Sequence, residues 1–171
     1  MRGLVRLVIC LFLLAGGTCE TLWADSAQMF LKIISRKQAS FGDGCLAVLS
    51  LAGEPNADGL KAEEALGKLV QKGIVPAKWT IKVSDNLTRG KLAYMVCKAC
   101  SIKGGVNLHL FGATERYAYK ECVYLSIMAA GNESRTLSGS ELMAVIRRAG
   151  EHLAGNNFPM PAGGGSSDII Y

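Results

Sequence analysis

The stretch from Ala65 to Ala99, ALGKLVQKGIVPAKWTIKVSDNLTRGKLAYMVCKA, most constrains how this chain folds. Leu66, Leu69 and Val70 recur at helical spacing and form one apolar stripe. Gly73 lacks a Cβ and suits the left-handed position just past a helix end. Ile74 follows where a Schellman stop takes an apolar contact. Thr88 then supplies the N-cap of a further helix over Arg89–Cys100. A weaker copy runs from Glu121 to Ala149, ECVYLSIMAAGNESRTLSGSELMAVIRRA. Leu87-Thr88 matches Leu137-Ser138, and Leu92, Val96 and Ala99 match Leu142, Ile146 and Ala149. Ser138 and Glu141 complete a capping box. The first copy has Lys91 at the box position, so reciprocal capping is lost there. A repeated helix-loop-helix unit buries its apolar faces by stacking, which points to binding rather than chemistry.

Similar reasoning extends over the rest of the domain. A cap at Asp25 or Ser26 predicts a first helix through Lys37, with Met29, Ile33 and Ile34 on one face. Phe41-Gly42-Asp43 leads into a second helix, Leu46–Ala52, and Gly53 to Gly59 is loop chemistry. The third helix spans Leu60–Lys72 and the fifth Glu115–Ile127. In the loop from Val75 to Asn86, two or three of Pro76, Trp79, Ile81 and Val83 must fold back on the helices. Val106, Leu108 and Leu110 alternate with Asn107 and His109, the pattern of one short strand. The expected class is mainly α. The reading is a small single domain of paired helix-loop-helix units over residues 25–153, with one short β element and two divergent repeats near 61–100 and 115–152.

The ends of the chain read differently. Arg2 and Arg6 precede the apolar run Leu7–Ala15, and the small residues Ala15, Gly16 and Gly17 follow. That is a secretory signal over residues 1–19, too short for a spanning helix of about 20 apolar residues. The expectation is export to the periplasm or cell envelope. Cys19 resembles a lipoprotein cysteine, but Gly16 and Thr18 depart from the Leu and the small residue that lipidation signals carry. Membrane contact is therefore expected only through the signal or a lipid on Cys19. Residues 154–171 are glycine- and serine-rich and read as a flexible tail with an apolar tip, Ile169–Tyr171.

Charge and cysteine content exclude several classes. The formal charge is +5, and removing Arg2 and Arg6, two positive charges, leaves +3. No Lys/Arg run exceeds two and aromatics make up 7%, so no nucleic-acid partner is expected. Of six cysteines, Cys45, Cys97, Cys100 and Cys122 lie in the domain, where they allow three disulfide pairings. Cys97-Lys98-Ala99-Cys100 falls at a helix end, where the dipole disfavours thiolate, so it reads as packing or an ordinary disulfide. No second C-x-x-C and no paired histidines accompany it, so neither metal nor cofactor is expected, and His109 and His152 lack nucleophile partners. No catalytic residue is assigned.

The segment KLVQKGIVPAKW…LTRGKLAYMVCKA resembles the S-layer homology domain, whose repeat carries a helix ending in G-I, a loop, and T-R-A-E opening a second helix. The matching residues are Gly73, Ile74, Leu87, Thr88, Arg89, Leu92 and Ala93. Phe41-Gly42-Asp43 is similar to the family's F-x-D opening, though it lies far upstream. Lys91 replaces the family's glutamate, PAKWTIKVSDN replaces its loop, and the second copy has Gly139 in place of the arginine. The resemblance implies surface location and a role for Arg89 in binding acidic, pyruvylated cell-wall glycans. Arg89 beside Trp79 offers a carboxylate fork and an aromatic platform, with Thr88 and Arg116 completing the expected binding set. The plainer reading of both arginines is surface ion pairing. The expected function is that of a non-catalytic envelope protein binding cell-wall polysaccharide or an envelope protein. The alternatives are a periplasmic thiol-based enzyme using Cys97 and Cys100, or a purely structural lipoprotein.

Overall fold

A computed structural model of the protein describes residues 28–55, 57–102 and 114–155. The expected leader with Cys19, the strand expected at 106–110 with His109, and the tail expected past residue 153, from residue 156 on, lie outside the described residues. The chain is mainly helical. After α1 (28–34) come α2 (Phe41–Leu51), a 3-10 turn (Ala57–Gly59), α3 (Ala62–Gln71), α4 (Arg89–Ala99), α5 (Glu115–Tyr124) and α6 (Gly139–Leu153). Leu92 and Leu142, matched between the two copies, are both fully buried. Trp79 and Ile81 fold back on the core as half-buried residues.

The helix stops follow local chemistry. After α3, Gly73 adopts φ +68° and its amide donates to Val70 O at 3.0 Å, while Ile74 N–H donates to Leu69 O at 2.9 Å. That is the Schellman pattern the sequence predicts. After α5, Ser126 takes the same left-handed position at φ 59°, with Ile127 N–H reaching Cys122 O at 2.8 Å. The stop comes before Ser126, so the fifth helix is shorter than the expected span to Ile127.

Two sequence expectations are corrected in the first unit. The second helix starts at Phe41 rather than Leu46, because Ser40 caps it. Its hydroxyl accepts from Asp43 N–H at 3.1 Å, and Asp43 Oδ2 accepts from Ser40 N–H at 2.9 Å. Asp43 is buried and also paired with Arg36 at 2.9 Å. Phe41-Gly42-Asp43 therefore forms the first three residues of the second helix rather than a lead-in ahead of it. Ser40, Thr88 and Ser138 thus cap α2, α4 and α6, the second helix of three successive helix-loop-helix units, while the closest helix packing joins α2 to α3 and α4 to α5. Capping boxes form at Ser40 and Ser138. Thr88 caps alone, as Lys91 dictates.

The three caps meet. Leu87 N–H donates to Ala39 O at 2.9 Å, Leu137 N–H to Leu87 O at 3.1 Å, and Ala39 N–H to Leu137 O at 2.8 Å. The residues preceding each cap form a closed ring of backbone hydrogen bonds. Their side chains are at most 2% exposed, so the ring satisfies polar groups that water does not reach. Two isolated antiparallel bridges, Ser40–Asn86 and Thr88–Thr136, flank it.

Candidate functional site

The position following each cap sets the character of each third of the domain. It is Phe41 in α2, Arg89 in α4 and Gly139 in α6. A loop from another unit closes over each. Phe41 and Gly42 amides donate to Asp85 O and Val83 O at 2.7 and 2.8 Å. Arg89 and Gly90 amides donate to Arg135 O and Glu133 O at 3.0 and 2.8 Å, and Gly139 N–H donates to Arg36 O at 3.0 Å. These helix-start amides are occupied, so attraction for an anion must come from side chains.

Arg89 is the single charged residue among the three. It is 9% exposed, and its Nη2 donates to Glu141 Oε1 at 3.2 Å. Its Nη1 lies so close beneath Gly131 that a Cβ there would sit 2.7 Å from it. Glu141 also accepts from Ser138 N–H at 2.9 Å and from Arg135. The Ser138 amide first, and then the two guanidiniums, hold the Glu141 carboxyl below the ordinary glutamate range. Beside this pair opens a cleft of about 170 Å³ lined by Arg89, Glu141 and Arg148 with Met128, Ala129 and Val145. Arg89 and Arg135 pair with the Glu141 carboxylate, and Arg148 adds a further cation to the wall of the same cleft, an excess of positive charge.

A neighbouring cleft of about 250 Å³ is lined by Arg116, Tyr119 and Lys120 on α5 and by Gly131 and Glu133. Tyr119 Oη donates to Ala129 O at 2.9 Å and pins the segment between the two clefts. Arg89 and Arg116 therefore border adjacent grooves. Trp79 does not join them. Its ring packs 6.2 Å from Phe41 and 5.2 Å from Tyr94, and it lines neither cleft. The expected pairing of the Arg89 fork with an aromatic platform does not form, because the loop carries Trp79 to the cap of α2. Thr88 directs its hydroxyl to Lys91 N–H at 3.4 Å, as a cap. Arg148, Glu141 and Lys120 were missed as site residues. Glu141 and Arg148 are seven apart, two turns along one face of α6, and that spacing was readable.

Among the described residues the four cysteines, Cys45, Cys97, Cys100 and Cys122, are buried free thiols. Cys97 Sγ sits 3.6 Å from Cys122 Sγ on α5. Burial raises Cys45 to about 12 and Cys100 to about 11, and the Cys97 contact with burial raises Cys122 as well. A low-pKa nucleophile needs the opposite environment. Among the described residues no group of three His, Cys, Asp or Glu side chains is placed to hold a metal ion.

The Glu141 shift predicts a pH dependence. Its folded pKa is depressed below the ordinary 4.5, so its stabilisation is present above that value and is lost as pH falls through the folded pKa. Glu141→Gln keeps an oxygen for Ser138 N–H but no charge for the arginines. Urea midpoints from pH 7 to 3 should fall less steeply for the variant than for the parent. Parallel curves would contradict this assignment.

No protein-family model, curated protein or solved structure matches the chain.

Proposed function

We propose that the protein is a non-catalytic envelope protein that binds an acidic cell-wall glycan through the cleft between Arg89 and Arg148. The observation that carries this reading is the cleft itself. It lies at the one cap of three whose following residue is a buried guanidinium, and cations outnumber carboxylates around it. A volume of about 170 Å³ is below that of a drug-sized site. It accommodates a carboxylate substituent of a sugar, with the ring and the rest of the polymer outside. Two guanidiniums offer planar paired donors to such a group. The apolar wall of Met128, Ala129 and Val145 lowers the local dielectric and strengthens the attraction. Export, expected from residues 1–19, would bring the cleft to the wall. Burial pushes the Cys100 thiol up, away from the thiolate that a thiol-based enzyme uses, which favours the binding reading over that alternative.

Co-sedimentation with purified wall polysaccharide tests the proposal. Arg148→Ala and Arg89→Ala should each weaken binding about 10-fold, the scale of one charged hydrogen-bonded contact. Arg89→Lys should restore part of it, because lysine lacks the planar fork. Raised salt should weaken binding in the parent. Glu141 keeps Ser138 N–H and Arg135 when Arg89 is removed, so the fold should survive that change. If both alanine variants keep native circular dichroism and bind as the parent does, the cleft is not the glycan site.

A further inference from the structure

The buried thiols carry an inference independent of glycan binding. We propose that Cys97 and Cys122 are the pair that becomes a disulfide, stapling α4 to α5. Their sulfurs already face each other at 3.6 Å across the contact between the two helices. Closing to the bonded distance of about 2.05 Å asks for side-chain rotation and a small approach of the helices. The other contacts of the two sulfurs are backbone carbonyls. Cys97 reaches Ala118 O at 3.7 Å and Cys122 reaches Ala93 O at 3.8 Å. Cys100 follows Cys97 on the same helix end, and Cys45 lies on α2. Of the three pairings that four cysteines allow, the fold singles out the one containing Cys97–Cys122.

The chemistry is thiol–disulfide exchange with a disulfide donor such as oxidised glutathione or a disulfide oxidoreductase. One protein thiolate attacks the donor disulfide and expels a donor thiolate, leaving a mixed disulfide. The second protein thiolate attacks the protein-side sulfur of that bond and expels the other donor sulfur. The protein loses two protons and two electrons, and the donor is reduced to two thiols. Both cysteines are at most 3% exposed in the folded domain, so the exchange belongs to folding and the finished bond is shielded from reductants. The crosslink joins residues 25 apart, which lowers the unfolding constant roughly 300-fold by restricting the unfolded chain.

The full chain, unfolded and refolded in a glutathione redox buffer, tests this. The products are acid-quenched, alkylated, digested and mapped by mass spectrometry. The expected result is a Cys97–Cys122 linked peptide, with Cys45 and Cys100 alkylated. Cys45→Ser and Cys100→Ser should keep the link, Cys122→Ser should lose it, and the denaturant midpoint should rise with its formation. Secretion through an oxidising bacterial periplasm supplies the same map where refolding is poor. A dominant Cys97–Cys100 link, or full alkylation of Cys45, Cys97, Cys100 and Cys122 after oxidation, overturns the proposal. Neither result bears on the Arg89–Arg148 cleft.

Discussion

Gly139→Ala is expected to destabilise the domain by about 3 kcal/mol, at the upper end of what overpacking costs. Helix propensity alone predicts the opposite, since alanine is favoured over glycine by about 1 kcal/mol within a helix. Sterics decide the sign. A Cβ at Gly139 would lie 1.7 Å from Ile33 O and 2.7 Å from its carbonyl carbon. These are backbone atoms, so no side-chain rotation relieves the overlap. The last turn of α1 must move, and with it the Gly139 N–H bond to Arg36 O. A melting temperature lower by roughly 10 °C is the corresponding observable for a domain of this size. Gly67→Ala is the control. Gly67 lies on the exposed face of α3 with open space around its Cβ position, and the change should stabilise slightly. An unchanged melting temperature for Gly139→Ala would show that α1 does not seat on this glycine.

Leu87→Ala should cost about 3 kcal/mol, within the range for a fully buried leucine. Leu87 contributes its backbone to the ring of three caps and its side chain to the space above Gly44. Its Cδ2 would lie 2.7 Å from a Cβ at Gly44. The substitution leaves the backbone ring intact and opens a void inside it. The denaturant midpoint should fall with little change in slope, because the same surface is still exposed on unfolding. A loss under about 1 kcal/mol would mean that the centre collapses onto the void, contrary to a closely packed ring.

Much of the site's scaffold was legible from residues close in sequence. Gly73 and Ile74 gave the stop of α3, Thr88 and Ser138 gave two helix starts, and Lys91 gave the missing half of a capping box. The third cap was also written in the chain, as Ser40 with Asp43 three residues on. Phenylalanine and two glycines at that helix start resemble loop chemistry and mask its signal. The site was less legible. Arg89 reads as a binding residue from its place after the cap, but its ion-pair partner Glu141 lies 52 positions away and Arg148, across the same cleft, lies farther still. Trp79 is near Arg89 in sequence yet packs on Phe41 and Tyr94.

Sequence by itself determined the helical class, most helix ends and the burial of Leu92 and Leu142. Each of these depends on periodicity or on hydrogen bonds spanning a few residues. The tertiary structure alone decided that three caps close into one ring, that Cys97 faces Cys122 rather than Cys100, and that Arg89 is buried against Glu141. It also decided what covers the position after each cap: Trp79 over Phe41, Gly131 over Arg89, and the Ile33 carbonyl over Gly139. The reason is physical. Helical spacing says which residues share a face, but it does not say which distant loop that face will meet. Loop paths settle that choice, through contacts between parts of the chain that carry no local signal of one another.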